Sequence, residues 1–572
     1  MQEATKNIVL LNNKDETIPL IDVKDLKIAS VNIGYDHHAV FDSIARKYWN
    51  VTSFIADSIR NDPGFNTLRD QLKLFNLIII KLSANDSVDS KLLQFVKDEV
   101  ENNRLIVVAQ GNGRMLTSFN KIKCPLIWHQ SNISEDASAA AQVIFGGVAI
   151  NNRLERTYSK VYRKGGGFTT HKIRLGYSVP EAVCLNSDML AGVDTIMNEG
   201  IKTHSTPGGV VLIAKDGQVI FHKAYGKHTY NGQETTMPGD LFDLASVTKV
   251  SATTPAIMRL YDQDLINLDS TISKYVATTR DVPDKQDILI KEALLHEAGY
   301  TPYIKFYEQL KPLDLSCDSS ATYPTKVADH YFLKANYFND VMWPVTLHSP
   351  VLTRGQFVYS DVSMYMMKEV VENVSHQKLN EYVMNNLYLP LGMQTMGFLP
   401  RNRFDRSRIV PTTENDNWFR NMLVQGYVND PGSAMAGGVE GHAGLFSNAN
   451  DLAILFQMLL NKGTYGDHRY YKEATVNMFT SRQSKVSNRG YGFDRISAKQ
   501  QQEHRGYPSE QAFGHSGYTG TFVWVDPIYN LVYICLTNRV YPDDGKAFGP
   551  SKVNTRANVL DLIYRAVLTP CK

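Results

Sequence analysis

Leu241-Phe-Asp-Leu-Ala-Ser246-Val-Thr-Lys249 is the stretch on which the reading of this chain turns. A short apolar lead ends at a serine that opens a predicted helix, and a lysine follows three positions later. Residues three apart on a helix share a face and lie about 4.5 Å apart along its axis, so the amine of Lys249 can reach the hydroxyl of Ser246. A helix N-terminus also directs backbone N–H groups and the positive dipole end toward any oxyanion that forms there. The spacing alone is common. Ser118-Phe-Asn-Lys121 and Ser375-His-Gln-Lys378 repeat it without that setting.

Two further signatures lie downstream. Tyr359-Ser-Asp361 follows Gly355-Gln-Phe-Val358, and His515-Ser-Gly517 precedes the strand-like run Tyr518-Thr-Gly-Thr-Phe-Val-Trp-Val525. A serine hydroxyl is a poor nucleophile at neutral pH until a neighbour takes its proton. A lysine does so only when burial or nearby cations depress its pKa, and a tyrosine, with an ordinary pKa of about 10, needs the same cationic surroundings to act as phenolate. The spacing does not choose between Lys249 and Tyr359 as the base.

In this order the three signatures resemble those of the serine β-lactamases and penicillin-binding proteins, particularly the class C β-lactamases and their D-Ala-D-Ala carboxypeptidase and esterase relatives. The likeness covers about residues 185 to 570. Leu294-Leu-His-Glu-Ala-Gly-Tyr300, where the family has an "LLTHTSGL"-like segment, and Gly437-Gly-Val-Glu-Gly-His-Ala-Gly-Leu-Phe-Ser447 support it.

The resemblance implies a serine hydrolase that acts through an acyl-enzyme on a peptidoglycan-related peptide, a β-lactam or a small ester, with no cofactor and no metal. Ser246 is implied as the acylated nucleophile, Lys249 as the group that removes or shares its proton, and Tyr359 as the relay to the leaving group. His515 stands in for the lysine of the family's K-T-G strand. The backbone N–H groups of Ser246 and Tyr518 are implied as the oxyanion hole, with Asp361, Ser516, Gly517 and Tyr518 lining the substrate. His442-Ala-Gly444 and His504-Arg-Gly506 share the H-x-G pattern, and the strand that follows singles out His515.

Asp361 occupies the place of an asparagine in class C β-lactamases, so a carboxylate replaces an amide that both donates and accepts. Together with His515, this favours a peptidase or esterase over an efficient β-lactamase. The competing reading is a catalytically silent, penicillin-binding-like sensor or scaffold.

Around the motifs, periodicity suggests two domains, residues 1–184 and 185–572. In the first, Ile28–Ile33, Leu77–Leu82, Leu105–Ala109 and Leu126–His129 read as buried strands between helical stretches, an α/β pattern with a mostly parallel sheet. Ser134-Glu-Asp-Ala-Ser-Ala-Ala-Ala-Gln-Val-Ile-Phe145 reads as a helix closed by glycine.

In the second, Asp216-Gly217 marks a hairpin between two apolar runs, Thr521–Val525 and Leu531–Leu536 form another, and a long helical insertion lies between. The expected class there is α+β with an antiparallel sheet. Pro255 is expected to kink or end the helix that Ser246 opens, and the aromatic-rich segment 301–356 is a candidate lid. Leu560, Ile563, Tyr564, Val567 and Leu568 share one face of a terminal helix.

The first domain carries Lys6-Asn-Ile-Val-Leu-Leu-Asn-Asn-Lys-Asp-Glu-Thr-Ile-Pro-Leu20 and Arg174-Leu-Gly-Tyr177, and resembles the C-terminal α/β sandwich domain of glycoside hydrolase family 3. That likeness implies a fragment of a longer protein with a missing N-terminal glycosidase barrel. A third reading is therefore part of a β-N-acetylglucosaminidase, for which the two flanking carboxyl groups of a glycosidase cannot be nominated here. Such fusions point to periplasmic or cell-envelope substrates, although the first residues show no basic-then-apolar export pattern.

Composition removes several alternatives. Sixty Lys plus Arg against 58 Asp plus Glu leave +2 and no basic stripe, so nucleic acid has no electrostatic handle. The strongest apolar run, at 77–80, is far short of the roughly twenty residues of a membrane span. Five scattered cysteines without C-x-x-C spacing indicate neither a disulfide framework nor a zinc site. The expected partner is a small-molecule or peptide substrate.

Overall fold

The continuous apolar runs near the start of the chain become strands that are buried on both faces. The computed structural model describes residues 5–56, 65–503, 507–544 and 553–569. Cys571 and His504-Arg-Gly506 lie outside the described residues. The chain forms two units, one of Met1–Ser178, Leu389–Gln394 and Tyr465–His468, the other of Val179–Tyr388, Thr395–Thr464 and Arg469–Lys572.

The first unit contains β1 (Ile8–Leu11), β2 (Ile28–Ile33), β3 (Val51–Ile55), β4 (Leu77–Ser83), β5 (Leu105–Gln110) and β6 (Leu126–His129), in the sheet order β1-β6-β5-β4-β2-β3. Strands β2 to β6 pair in parallel and β1 runs antiparallel to β6. Alternate residues of β5 serve opposite faces: Leu105, Val107 and Ala109 enter one apolar cluster, Ile106 and Val108 the other. The helix Ser134–Phe145 ends at Gly146, whose φ of +74° is a left-handed cap that glycine adopts without strain.

In the second unit the early and late hairpins join one antiparallel sheet. Strand β7 (Gly208–Lys215) pairs with β8 (Gln218–Gly226) across Asp216-Gly217, both at positive φ (51° and 70°), as a two-residue hairpin turn requires. Strands β9 (Asp494–Arg495), β10 (Phe513–Ser516), β11 (Phe522–Asp526) and β12 (Leu531–Thr537) follow, and β12 runs antiparallel to β7. The intervening residues are mainly helical and include the buried helices Val362–Ser375 and Ala449–Leu460.

Three sequence expectations are modified. The segment 301–356 carries a small sheet of Leu315–Ser316, Thr325–Ala328 and Tyr331–Leu333, and Phe306 and Tyr337 are buried with Leu241 and Phe446, so these aromatics build a satellite core. The nucleophile helix starts at 247, passes through a π-type turn at Lys249–Thr253 and continues as an α-helix at Thr254–Asp262, with Pro255 just past the π turn, where the regular bond ladder is already interrupted. In the terminal helix Thr555–Leu568, Val559, Leu560, Ile563 and Tyr564 are buried, while Leu568 is 46% exposed because it sits in the last turn. Among the described residues, no helix is long and apolar enough to cross a membrane.

Candidate active site

The site is built on a strained turn. The short strand Phe242–Asp243 pairs with Leu445–Ser447, and Ala245 follows at φ +46°, a left-handed conformation that costs a side-chain-bearing residue free energy. Asp243 holds the turn: Oδ1 accepts from the Ala245 N–H at 2.9 Å and Oδ2 from the Asn429 N–H at 2.6 Å. Burial pushes the Asp243 carboxyl up to about 6 against those hydrogen bonds.

From the other side, Thr521 Oγ1 donates to Leu244 O at 2.8 Å and Thr519 Oγ1 to Asp243 O at 2.7 Å. The β10–β11 turn thus grips the residues before Ser246. A Cβ on Gly517 would lie 2.1 Å from Thr521 Oγ1 and 2.4 Å from Leu244 O, so only glycine permits this approach.

Ser246 Oγ accepts from Lys249 Nζ at 2.8 Å and from Tyr359 OH at 2.9 Å. Lys249 is fully buried; its Nζ donates to Ser246 Oγ and, at 3.2 Å, to His442 O, and forms an ion pair with Asp361 Oδ1 at 2.8 Å. Burial disfavours its charge, but the Asp361 carboxylate and Tyr359 outweigh that, and the lysine is held above its ordinary pKa. Burial raises the Tyr359 phenol, with the lysine ammonium 4.9 Å from its ring centroid opposing. The resting pair is therefore ammonium and phenol.

His515 lies on β10, 2% exposed, with its ring 6.1 Å from that of Tyr359. Its Nδ1 is 2.8 Å from Ser516 O, an atom that only accepts, so Nδ1 carries the proton and Nε2 keeps a lone pair. Burial, with Arg489 and Lys249, lowers its pKa to about 4 against the pull of Asp494, whose Oδ2 is 3.8 Å from Nε2. A neutral acceptor thus occupies this place at pH 7. Asp361 faces Lys249. Ser516 is exposed, and Tyr518 is 53% exposed with its hydroxyl on Asp544 at 2.6 Å. Among the described residues, the N–H groups of Ser246 and Tyr518 have no protein acceptor.

The other S-x-x-K copies do not assemble. Ser118 Oγ accepts from the Val88 N–H while Lys121 is exposed, and Ser375 Oγ caps Val371 O while Lys378 pairs with Glu372.

Several neighbours carry no local signature. His442, a rival only through H-x-G, contributes its carbonyl to Lys249. Its ring stacks 4.7 Å from Tyr365 and its Nε2 pairs with Asp430 Oδ1 at 2.7 Å. Despite burial, Asp430 and Asp361 raise the His442 pKa, and His442 in turn keeps Asp430 below the usual carboxylate range. Asp361, Asp430 and His442 offer ligand atoms within 4.8 Å of one another, but the Lys249 ammonium already serves this acidic corner. His296, buried and neutral, accepts from the Ser360 N–H at 3.2 Å and packs 4.6 Å from the Tyr359 ring, fixing the backbone beside the phenol. Arg489 pairs with Asp494 behind His515. The quoted segments 294–300 and 437–447 contain His296 and His442, the one signal that could have nominated them.

Residues 193–552 match the Beta-lactamase family model. A protein of Bacillus subtilis (strain 168) named N-acetylmuramyl-L-alanine amidase is 30% identical over 383 residues, 63% of this chain and 83% of that one. An Escherichia coli (strain K12) protein, provisionally named a D-alanyl-D-alanine carboxypeptidase, is 30% identical over 393 residues, 63% of this chain and 85% of that one. The solved structure of EstCE1, described as a hydrolase with promiscuous acyltransferase activity, shares the fold at 20% identity and a TM-score of 0.50, over 67% of this chain and 99% of that one. With a serine, a buried lysine and a tyrosine joined by hydrogen bonds inside the matched region, the chain belongs to the β-lactamase family.

Proposed function

We propose that Ser246 is acylated by an amide or ester of a peptidoglycan-related peptide or by a small ester, with Lys249, Tyr359 and His515 as its catalytic partners. The observation that carries this reading is the pair of hydrogen bonds converging on Ser246 Oγ from Lys249 and Tyr359. Both partners donate in the resting state; once the Tyr359 hydroxyl turns its hydrogen toward the leaving group, its oxygen can take the serine's proton.

Because Lys249 is held as an ammonium it has no lone pair to offer, and the base role falls to Tyr359. As Ser246 Oγ bonds to the substrate carbonyl carbon, its proton passes to the Tyr359 oxygen while the Tyr359 proton passes to the departing amine or alkoxide. Lys249 steadies the charge on the phenol oxygen during this exchange. The carbonyl oxygen, now negative, takes the N–H groups of Ser246 and Tyr518. Water then reverses the sequence and releases the acid. His515 Nε2 accepts a hydrogen bond from substrate or water, and Asp361, Ser516 and Gly517 border the substrate.

The names of the two curated relatives support amide bonds of the cell wall as the substrate class, hence a cell-envelope location. Asp361 and His515 favour peptidase or esterase action over efficient β-lactam turnover.

We read residues 1–184 as a glycoside hydrolase family 3 C-terminal-like domain, and 185–572 as the hydrolase domain. The parallel sheet of the first unit supports the former. Hydrolysis of an aryl N-acetylglucosaminide by this chain would instead revive the glycosidase reading.

Wild type and Ser246→Ala, each incubated with a chromogenic ester, a β-lactam and a D-Ala-D-Ala peptide, test the proposal. At least one turnover falls by about 10⁶-fold or to background in the variant, and intact mass shows an acyl adduct on Ser246 only. No Ser246-dependent turnover of any of them leaves the sensor reading in its place.

A further inference from the structure

Away from Ser246, the second unit encloses a cavity of 390 Å³ between the small sheet of the insertion and the segment 437–446. Its walls are of two kinds. Lys326, Arg401 and Tyr427 form a polar side, and Val327 and Phe446, each 1% exposed, lead the apolar side. Gly438, at φ +84°, supplies wall without a side chain. None of the lining residues hydrogen-bonds to Ser246, Lys249, Tyr359 or His515.

The polar side has more cation than anion. Lys326 Nζ and Arg401 Nη1 share one carboxylate, Asp329, at 3.3 and 3.4 Å, and Tyr427 OH donates to that carboxylate at 2.6 Å. Charge-assisted bonds settle at about 2.7–2.9 Å, so both ion pairs are long; Lys326 also bonds the Tyr427 side chain. Arg401 Nη1 also reaches Gln425 O at a long 3.3 Å, which leaves most of the guanidinium fork unengaged. Lys326 and Arg401 lie 5.4 and 5.3 Å from the Tyr427 ring centroid, a fixed plane that holds the two charges side by side. One surplus positive charge facing a half-apolar cavity suits a carboxylate on a short aliphatic body.

The same segment serves the catalytic lysine. Gly441 O accepts from Thr253 Oγ1 at 2.6 Å, His442 O from Lys249 and the Leu445 N–H bonds Thr248 Oγ1 at 3.1 Å. Its residues 437, 438, 444 and 446 line the cavity.

We propose that this cavity is a second ligand site, for the free carboxylate of a short peptide: the carboxylate bridges Arg401 and Lys326, and the aliphatic part packs on Val327 and Phe446. The peptide identity rests on the substrate class proposed above, but the binding does not depend on acyl chemistry.

Calorimetric titration of the whole chain with acetyl-Ala-Ala and with acetyl-Ala-Ala-amide tests it, in wild type and in Ser246→Ala. The free acid binds at least tenfold more tightly than the amide in both proteins, and Arg401→Gln and Lys326→Gln each remove about tenfold of that preference. Unchanged melting temperature and unchanged turnover of a small neutral ester confirm that these variants are folded.

Equal binding of acid and amide, or variants that bind as wild type does, overturns the site. Acetate or inorganic phosphate binding as tightly as the peptide overturns the peptide class. A KM raised only for substrates with a distal carboxylate places the far end of the substrate here, and an effect confined to added free peptide places a second molecule here; either supports the site. Failure of the acyl-enzyme reading shows separately, as absent Ser246-dependent turnover with peptide binding intact.

Discussion

Among the described residues Lys81, Lys249 and Lys285 are fully buried, and the first two, each set against a mostly buried aspartate, carry charges that behave in opposite ways. Lys81 in the first unit lies 2.6 Å from Asp42, and Lys249 in the second lies 2.8 Å from Asp361. Burial lowers Lys81 despite its partner, with Arg46 adding to the effect, whereas Lys249 is raised. The difference lies in how much anionic character each ammonium meets. Asp42 is divided among Lys81, Ser30 Oγ at 2.7 Å and Ser53 Oγ at 2.6 Å, and so ties helix His38–Ala45 to strands β2, β3 and β4. Lys249 gathers a carboxylate, a phenol and a carbonyl, and points the remainder of its field at a serine hydroxyl. A shared carboxylate makes a fastener, and an unshared one makes a poised charge.

The largest expected effect breaks that contrast at the catalytic end. Lys249→Met lowers kcat/KM for any Ser246-dependent substrate by about 10⁴-fold, while Lys121→Met and Lys378→Met stay near wild type. Steady-state rates decide it, and equal losses in all three variants would remove the case for Ser246. At the structural end, Lys81→Met leaves Asp42 buried without its cation and costs about 3–5 kcal/mol in urea unfolding, with ester turnover of the folded protein unchanged. Adding Asp42→Leu recovers only part of that stability: the apolar pair needs no desolvation, but the buried Ser30 hydroxyl and that of Ser53 lose their acceptor. If the double variant regains all of it, the two serine bonds contribute nothing to the fastener.

The fastener and the poised charge were unequally visible in the sequence. Strands Ile28–Ile33 and Leu126–His129 are legible to the residue, because a strand buried on both faces draws apolar residues to most of its positions and turn residues to its ends. Asp216-Gly217 is legible because few residue pairs tolerate two positive φ angles. The Ser246, Lys249, Tyr359 and His515 positions were nominated by short signatures with a helix or strand beside them. Asp430, His442 and Arg489 in loops, and Asp494 on the two-residue strand β9, act by tertiary convergence, and a lone carboxylate has no periodicity to betray it. The sharing of Asp42 by three strands' side chains, and the small sheet inside 301–356, depend likewise on which segments meet rather than on local pattern.

Asp361→Asn converts the poised charge toward the fastener state. Without the carboxylate, burial dominates and the Lys249 pKa falls. If activity requires the ammonium, the basic limb of the kcat/KM profile moves to lower pH by at least about one unit, while the rate at neutral pH, below both limits, drops less than about tenfold. An unmoved limb would mean that the form of Lys249 required for catalysis is not the charged one.

The smallest effect concerns the opposite wall of the cleft. His515 sits near pKa 4 because burial, Arg489 and Lys249 together outweigh Asp494. Its facing neighbours are Asp494, Arg489, Lys249 and the rings of Tyr359 and His296. Arg489→Gln removes one cation and also leaves Asp494, now without its guanidinium, 3.8 Å from His515 Nε2. Both changes favour the imidazolium, so the pKa rises. The neutral form, which alone has an accepting Nε2, is then lost at a higher pH on acidification. The acid limb of kcat/KM moves up from near pH 4 by about one unit, while the rate at pH 7, well above both values, changes less than about threefold. A limb that stays in place assigns it to a group other than His515, and a large loss at pH 7 gives Arg489 a direct contact with substrate instead.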